Sequence, residues 1–382
     1  MANHLRRARL ARGWSQARLV HEIEQYGRRR MVRIASTSSL GVYVSEWENN
    51  RRKISSSYAA ILRSLLGTTD EELFSDNAPV GDDGNGYARL VERLDTSHSV
   101  GQSMVHTLRH QTELLRTMDR QLGAAQFVDQ MQSHLSRLQE NLSFTVLPSA
   151  RQPLARALAE AASLAAWQAL DVGAADRAWR HYELAKSAAR EADDPLHLAH
   201  AMGEQAYVLA DAGRPELGAQ LVQEAQACGG SRLSPRLSSW LAAAEAELWA
   251  LSRRPDDCRH SLDRASRHLS GLTGVRDPNL PGIFLDETHL RRWRGHSLAL
   301  LGDPRSIDEL SAALVAMDDT FVRAAAGMRC DLAQAHLVRG ESEEARSHLR
   351  EAGSLVNLTG SVRYRRRIDR IKGLTDSASG QR

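Results

Sequence analysis

Three residues in the segment HLAHAMGE have the types and the spacing of a metal site. His197, His200 and Glu204 follow one another at intervals that place them on one face of a helix. Imidazole and carboxylate groups are common zinc ligands. Histidines on an Ala-rich helix are more often polar surface residues, however, and the same holds for His106 and His110. We therefore expect no bound metal.

The sequence contains none of the short motifs that carry common catalytic chemistry. It lacks the phosphate-binding GxxxxGK[ST] loop, the dinucleotide-binding GxGxxG fingerprint, the HExxH zinc motif and the GxSxG nucleophile elbow. Residues that are distant in the sequence do not suggest a nucleophile beside a base. We expect a protein that is not an enzyme and uses no cofactor.

A different chemistry is indicated by the segment VSEWENNRRK, where Arg51, Arg52 and Lys53 follow a tryptophan set between two acids. Residues 1–67 contain 13 Lys and Arg against 4 Asp and Glu, a net charge of +9, whereas the whole chain carries +3. A basic module on a mildly acidic body is common among nucleic-acid-binding proteins. The alternative is a solvated basic face without a partner.

The composition is that of a folded, cytoplasmic protein with several domains. Of its 382 residues, 42% are hydrophobic and 25% charged, as in ordinary globular proteins. No run approaches the roughly 18 apolar residues of a membrane span, and the basic N-terminus lacks the apolar segment of a secretory signal. Cys228, Cys258 and Cys330 are too widely spaced for a disulfide framework or a CxxC metal site.

Helical patterns dominate the chain, and strand signals are almost absent, so the predicted fold class is all-α. A segment rich in Gly, Asp and Pro, residues 77–87, is the predicted linker. It separates an N-terminal domain at 1–76 from the helical body. The body consists of a connector at 88–150, a larger domain at 151–372 and a disordered tail at 373–382.

Five short helices are predicted in the N-terminal domain, at about residues 3–13, 15–27, 40–48, 55–67 and 68–74. Ser15 and the serines at 36–39 have the types and positions of helix caps. In the third helix, Leu40, Val44 and Trp47 share one apolar stripe. Trp47 is therefore a predicted core anchor.

This domain resembles the Xre-type, lambda-repressor-like helix-turn-helix family, in the long-linker form common in actinobacterial regulators. The resemblance covers about 75 residues and is carried by Arg9, Gly13, WSQ at 14–16, Leu19, VSEWENN at 44–50, the cations at 51–53 and LLGTTDEELF at 65–74. It implies that the third helix is the recognition helix and that the cations after it contact DNA phosphates. It also implies a structural pair between Glu48 and Arg9; the alternative is that Arg9 contacts DNA.

The resemblance and the charge pattern together give a set of predicted DNA-binding residues: Gln16, Arg28, Arg29, Arg30, Arg33, Ser39, Gly41, Val42, Ser45, Glu46, Asn49, Arg51, Arg52 and Lys53. The four arginines at 28–33 belong to a segment, residues 27–37, that replaces the family's tight turn. This segment is either a second phosphate clamp or a solvated insertion.

The predicted recognition helix offers little for direct base readout. Gly41 and Val42 stand where relatives often carry Lys, Arg, Gln or Asn, and neither can form bidentate bonds to a base pair. Val42 could contact a thymine methyl group, Ser45 could form one hydrogen bond, and Glu46 could accept from cytosine or repel phosphate. Sequence specificity would then depend on DNA shape or on the arginine-rich segment.

A repeated pattern divides the larger domain into pairs of helices. The predicted turn positions are Gly173, Gly213, Arg253, Gly302 and Gly340, which are 40, 40, 49 and 38 residues apart. A small residue stands seven positions before each turn, and a small–apolar–Ala pattern begins five positions after it, with a degenerate fourth copy. Small residues allow paired helices to approach closely, so the pattern indicates stacked helix pairs.

These repeats, at about residues 153–358, resemble tetratricopeptide repeats, although each unit is longer than the family's usual 34 residues. In that family the first helix of each pair lines a concave groove. The resemblance implies a groove for a peptide, a small molecule or a protein, lined by Glu160, Trp167, His200, Tyr207, Trp240, Glu247, His289, Arg292, His296 and Gln334. The alternatives are that these aromatic residues only pack in the core, or that the domain is an unspecific Ala-rich bundle.

Two further helices are predicted around Gly123 in the connector. Leu108, Leu115 and Leu122 recur every seven residues, which indicates a seam between helices. The seam belongs to an N-terminal cap of the repeats or to a homodimer contact, and the two roles are compatible.

Together, the two resemblances imply a cytoplasmic transcriptional regulator that binds double-stranded DNA as a homodimer. A ligand, peptide or protein in the groove would control operator binding. The alternative is a tetratricopeptide-type interaction scaffold whose helix-turn-helix binds DNA weakly or without sequence preference.

Overall fold

The computed structural model describes residues 4–30, 32, 34–49, 51–52, 54–66, 87, 90–91, 93–95, 102–277 and 279–379. It divides into two compact units, unit 1 (Met1–Ala88) and unit 2 (Arg89–Arg382). Within the described residues the regular elements are helices, accompanied by one isolated β-bridge between Arg276 and Phe284. The predicted all-α class is therefore confirmed. The predicted fifth helix at 68–74 and residues 77–86 of the linker lie outside the described residues.

The described part of unit 1 contains α1 (His4–Ala11), α2 (Gln16–Arg30), α3 (Thr37–Glu48) and α4 (Ser56–Leu66). Side chains cap two of these helices at the predicted serines. The Ser15 hydroxyl accepts the Arg18 N–H at 3.1 Å, and the Ser36 hydroxyl accepts the Ser39 N–H at 3.4 Å. These bonds satisfy backbone donors that have no partner inside the first turn of a helix.

Helix α3 buries one face in the core of unit 1. Leu40 and Val44 are fully buried beside Leu19 of α2. Trp47 is 2% exposed, and its ring centroid lies 5.1 Å from that of Tyr58 in α4. The predicted role of Trp47 as a core anchor is confirmed.

Helix α2 is longer than the sequence pattern predicts. It continues through Gly27 to Arg30, so the first part of the predicted 27–37 insertion is helical. Glycine inside a helix costs only about 1 kcal/mol relative to alanine. Here it leaves room for Ile34, whose Cδ1 would lie 2.7 Å from a Cβ at position 27. Close packing, rather than helix termination, explains this glycine.

In unit 2 the described residues 90–91 and 93–95 are helical, and they are followed by α5 (Gln102–Leu122) and α6 (Val128–Phe144); the last helix is α17 (Val362–Ser379). Between them lie five helix pairs: α7 (Pro148–Asp171) with α8 (Ala175–Glu191), α9 (Pro195–Asp211) with α10 (Pro215–Gly229), α11 (Pro235–Leu251) with α12 (Pro255–Leu269), α13 (Glu287–Leu301) with α14 (Ser306–Ala316), and α15 (Val322–Val338) with α16 (Ser342–Thr359). Consecutive pairs stack on one another as an α-solenoid, the arrangement typical of tetratricopeptide-like repeats.

All five predicted turns lie between the two helices of a pair. The four glycines, Gly173, Gly213, Gly302 and Gly340, have φ values of 76° or 77°, and Arg253 has φ 58°. Glycine enters this left-handed region without the steric cost that a Cβ adds, which is why it ends helices so often.

The predicted small residues before the turns lie at the contacts within the pairs. Ala166, Ala206, Ala246 and Ala333 are all fully buried. Gly295 of α13 leaves no room for a side chain, because a Cβ there would lie 2.7 Å from Cγ of Leu310. Close approach of the paired helices therefore depends on these positions.

The fourth pair follows the pattern in a different register from the predicted one. In α14 the buried residues are Ser306, Leu310 and Ala313, each one position before the predicted residue. Residues 303–305 stand between Gly302 and α14, whereas the other turns are followed by a single residue before the next helix. The longer turn rotates α14 about its axis, so that residues one position earlier face α13.

The two ends of unit 2 meet. Arg323 of α15 donates to Asp119 of α5 at 3.2 Å and to Asp171 of α7 at 3.4 Å. Gly123, which follows α5, runs so close to α16 that a Cβ there would lie 2.0 Å from the Thr359 carbonyl oxygen. Only glycine fits this contact between the start and the end of the array.

Helices α5 and α6 lie on either side of Gly123, as predicted, and they belong to the compact unit that contains the helix pairs. Leu108 and Leu115 are buried in a core shared with α6 and α7, whereas Leu122 is 39% exposed. The first two leucines therefore have the packing expected of a cap.

The last helix continues to Ser379, beyond the predicted start of a disordered tail at 373. None of the helices in the described ranges combines the length and the apolar character that a membrane span requires.

Candidate functional site

Helix α3 presents a small, exposed face opposite its buried stripe. Gly41 is exposed and has no neighbouring atom within 4 Å of an added Cβ, and Val42 is 54% exposed. Ser45 lies half-buried beside them, and the exposed Asn49 donates from Nδ2 to the Ser45 carbonyl oxygen at 2.7 Å. The side chains available on this face are therefore short, as the sequence predicts.

Arg52 is held against the end of α3. Its guanidinium lies 3.7 Å from the Tyr43 ring centroid, and its Nη1 lies 3.3 Å from Oε2 of Glu46. The pairing neutralises the acidic group that would otherwise repel a phosphate near this face. Arg51 beside it is exposed. The end of α3 thus presents two cations, one of them fixed in direction by an aromatic ring.

A buried ion pair fixes α1 against the end of α3, and Gln16 joins it from the start of α2. Arg9 donates from Nε to Glu48 Oε1 at 2.6 Å and from Nη1 to the Trp14 carbonyl oxygen at 2.5 Å. Gln16 donates to Glu48 Oε2 at 2.8 Å. Burial works against the charged carboxylate, but the bonds from Arg9 and Gln16 hold the pKa of Glu48 below its ordinary value. The arrangement is that of the predicted structural pair, and it also engages the amide of Gln16, a predicted DNA contact.

The remaining predicted DNA-binding residues are distributed around α2 and α3. Arg28 and Arg30 are exposed at the end of α2. The Ser39 hydroxyl lies 2.9 Å from that of Ser36, within the cap of α3. The backbone of Arg29 is in α2, but its side chain, Arg33 and Lys53 lie outside the described residues.

Unit 2 contains a half-open cavity of about 250 Å³. The first helices of the pairs, α7, α9, α11, α13 and α15, contribute to its lining, as the resemblance implies. Residues of α5, α17 and the segment between α12 and α13 complete it: Arg116, Asp119, Arg120, Gly282, Phe284, Arg363 and Tyr364. The cavity therefore lies where the two ends of the array meet.

Six of the ten predicted groove residues line this cavity: Trp167, Tyr207, Trp240, Glu247, His289 and Arg292. The other four do not. Three of them contact residues that line the cavity. The ring centroids of His200 and Trp240 lie 5.2 Å apart, Glu160 accepts a hydrogen bond from Arg116 at 3.3 Å, and His296 Nε2 lies 3.2 Å from Glu247 Oε1. Gln334 is half-buried in α15.

Aromatic rings form much of the wall. Trp240 packs edge-on against Trp293 with 6.0 Å between centroids, and Trp167 packs edge-on against Tyr207 at 5.8 Å. Tyr207 and Trp240 also belong to the main core of unit 2. They both pack the core and line the cavity, so the two interpretations of these residues describe the same side chains. The guanidinium carbon of Arg363 lies 5.7 Å from the ring centroids of both Trp167 and Tyr207.

The Glu247 carboxylate is partly buried, and its hydrogen bonds come from the protein itself. Tyr207 donates to it at 3.1 Å, Trp293 Nε1 donates at 2.9 Å, and His296 Nε2 lies at 3.2 Å. Although burial opposes its charge, the nearby His296 and the other donors lower the pKa of Glu247 to about 2. Burial also opposes protonation of His296, but Asp331 and Glu247 raise the pKa of that imidazole to about 9. At neutral pH this is a charged network.

Glu204 and His200 have the opposite character. Burial raises the pKa of Glu204 to about 8 and lowers the pKa of His200 to about 3, so both are neutral at pH 7. His200 Nε2 lies 3.6 Å from Glu204 Oε1, and Glu204 Oε2 has no hydrogen-bond partner among the described residues. His197 is 3.0 Å from Asp194. Among the described residues, no group of three or more His, Cys, Asp or Glu side chains is arranged to hold a metal ion. His197, His200 and Glu204 do not form such a group.

The segment between α12 and α13 forms one wall of the cavity and was not assigned to the site from the sequence. Its Leu280, Ile283 and Leu285 are buried, and Phe284 lines the cavity. Arg236 of α11 donates to the carbonyl oxygens of Leu285 and, at 2.8 Å, of Thr273. The only signal in the sequence is the 49-residue interval between the third and fourth turns.

No family model and no curated protein matches this sequence. Ten solved chains match the structure. One is a crystal structure of nearly identical TPR-like repeats from a Podosopora anserina protein described as a kinesin light chain. It has 11% sequence identity and a TM-score of 0.34, and the match covers 51% of this chain and 92% of the other. The assignment of helix pairs in unit 2 therefore depends on the turns and the buried small residues described above, and not on this similarity.

Proposed function

We propose that this protein is a cytoplasmic transcriptional regulator that binds double-stranded DNA through unit 1 and a regulatory ligand through the cavity of unit 2. The observation that supports DNA binding best is the form of α3. Its apolar stripe is buried, its opposite face is exposed, and Arg51 and Arg52 stand at its end in a segment with a net charge of +9. An exposed helix with flanking cations suits the major groove and the adjacent phosphates.

Homodimer formation is part of this proposal. A single module with short side chains on its exposed helical face would make few base contacts, and two modules on a two-fold operator would double them. Ligand binding in unit 2 would then change the relative stability of dimer arrangements that fit or do not fit the operator.

The proposal is tested by the double substitution Arg51→Ala, Arg52→Ala in the full-length protein. Affinity for a mixture of duplexes should fall uniformly, and the slope of log K against log salt should become shallower by about two, since each phosphate contact contributes about 0.9. The matched control is Arg180→Ala, Arg259→Ala, which removes two exposed arginines of unit 2. Unchanged affinity after the first substitution would contradict a role of these cations in DNA binding.

The second candidate is an interaction scaffold with little DNA-sequence preference. It is favoured by Gly41 and Val42, which have no hydrogen-bonding side chain on the exposed face of α3. In this case binding would be salt-sensitive but equal for all duplexes, and unit 2 would bind a protein or peptide partner.

A further inference from the structure

Five arginines line the cavity of unit 2, and they fall into two classes. Arg116, Arg323 and Arg363 each form ion pairs with carboxylates, for example Arg363 with Asp211 at 2.9 Å. Arg120 and Arg292 form no ion pair with any described residue, and the Nε atom of each is buried without a hydrogen-bond partner there. A buried donor without an acceptor is unfavourable, so these two guanidinium groups are suited to an acceptor from outside the chain.

Both unpaired arginines are positioned by aromatic rings. The Arg120 guanidinium lies 4.7 Å from the centroid of Phe284 and 4.8 Å from that of Phe321. Arg292 lies 4.6 Å from the centroid of Trp293. Stacking of this kind restricts a guanidinium to one plane while leaving its N–H edge free for hydrogen bonds. The contacts therefore orient the two arginines without neutralising their charge.

Both arginines act on the same imidazole, that of His289, which also lines the cavity. Burial, followed by the charges of Arg292 and Arg120, lowers the pKa of His289 even though Asp286 opposes the shift. His289 Nδ1 lies 2.7 Å from Asp286 Oδ1, and Nε2 has no partner among the described residues. The His289 ring lies 4.8 Å from the Phe321 ring that Arg120 also contacts, and Arg292 follows His289 by three residues on α13, so the two arginines lie in the same part of the cavity.

We propose that this cavity binds a small molecule with a planar, apolar body and one oxyanion group, and that Arg120 and Arg292 bind the oxyanion. Guanidinium groups bind carboxylates and phosphates through parallel N–H bonds. The planar body would lie against Trp167, Trp240 and Trp293. The inference rests on the proposed function in so far as the cavity is taken to be the regulatory site.

The size of the cavity favours a molecule of one or two rings. Its volume of about 250 Å³ lies just below the range of about 300–1,000 Å³ that small-molecule pockets usually occupy. A folded peptide would need more space than this. The protein's own donors already surround Glu247, so the unpaired positive groups, not this carboxylate, determine the charge of the ligand.

The test is isothermal titration of the full-length protein, without DNA, with three probes: indole-3-acetate, its neutral amide indole-3-acetamide, and phenyl phosphate. We expect one site per chain that binds at least one of the two anions at least tenfold more tightly than the amide. The better of the two anions identifies the oxyanion as a carboxylate or a phosphate. Arg292→Gln and Arg120→Gln should each weaken binding of that anion about tenfold to a hundredfold.

Arg291→Gln is the matched control, because this arginine is the neighbour of Arg292 on α13 and pairs with Glu309 at 3.1 Å outside the cavity. It should leave affinity unchanged. Circular dichroism of each variant checks folding, and Arg292→Gln decides the result if Arg120→Gln unfolds. Equal binding of acid and amide, no binding of any probe at millimolar concentration, or full affinity of Arg292→Gln would overturn the proposal. A protein that binds the anion but no DNA would refute the proposed function alone.

Discussion

Arg253 occupies the turn position that glycine occupies in the other four helix pairs. Its φ of 58° lies in the left-handed region, which costs a residue with a Cβ about 1–2 kcal/mol. In return, its Nη1 donates to the Leu300 carbonyl oxygen at 2.7 Å, an exposed bond of small net value. The arginine thus holds a strained backbone in place of glycine.

We predict that Arg253→Gly stabilises the protein by about 1 kcal/mol, because relief of the backbone strain outweighs the lost exposed hydrogen bond. Thermal or urea unfolding measures the change. Arg253→Ala is the control, since it loses the same bond but keeps the Cβ, and it should be slightly destabilising. If glycine and alanine had the same effect, the strain at this turn would be negligible.

Glu204 makes the stability of the fold depend on pH. Its pKa in the folded protein is about 8, raised by burial, whereas in the unfolded chain it has the ordinary value near 4.5. Above pH 4.5 the unfolded chain loses this proton and the folded protein retains it. Glu204 therefore lowers stability progressively as pH rises from about 4.5 to about 8.

The substitution Glu204→Gln should remove this loss. The stability of the variant relative to the wild type should increase between pH 4.5 and 8, by about 1.4 kcal/mol for each pKa unit. Taking the difference cancels the titration of His296, which both proteins share. The exposed Glu224→Gln serves as control. A constant difference between variant and wild type across this range would show that Glu204 is ionised at pH 7.

The sequence predicted the aromatic part of the cavity better than its charged part. Trp167 and Tyr207 stand 40 residues apart, the spacing of the helix pairs, and Trp240 stands 40 residues after His200, so the aromatic wall followed from periodicity. Arg120 and Arg363 come from helices at opposite ends of the array, outside the repeat pattern. Only the closure of the array in three dimensions brings them to the cavity, and no spacing within the sequence expresses that.

At the scale of elements, helix α3 contains two acids with different energetic roles. Glu48 is buried and paired with Arg9, whereas Glu46 is half-exposed and paired with Arg52. Removing one partner of a buried pair leaves an uncompensated charge, while exposed pairs contribute little.

We therefore predict that Glu48→Ala destabilises unit 1 by about 3–5 kcal/mol, while Glu46→Ala changes stability by less than about 1 kcal/mol. Hydrogen exchange of the backbone amides of α1–α4 measures the unfolding of unit 1 separately from that of unit 2. The comparison uses two glutamates of one helix, so helix propensity cancels. Equal effects of the two substitutions would mean that the Arg9–Glu48 pair does not fix the position of α3.

The boundaries of the elements show where sequence patterns are sufficient. The five turns were predictable because a left-handed residue between two amphipathic segments leaves a local signal. The extension of α2 to Arg30 was not, since Gly27 has the type of a helix terminator but is selected by contact with Ile34. The register of α14 also escaped the pattern, because it depends on the three residues after Gly302.

For the whole molecule, α5 is the described helix that precedes the repeats and also contributes to their cavity. Its Arg120 is one of the two unpaired arginines, and its Asp119 pairs with Arg323 near the other end of the array. A ligand bound to Arg120 and Arg292 would contact both α5 and α13. By contacting both helices, such a ligand would stabilise the packing of α5 against the repeats.

To test whether the protein is a DNA-binding regulator, the purified full-length protein is incubated with sheared genomic DNA at near-physiological salt, and the retained DNA is sequenced. We expect enrichment of a few promoter regions that share a two-fold motif. Uniform retention across the genome would contradict specific regulation. It would mean that α3, with Gly41 and Val42 on its exposed face, does not read base sequence.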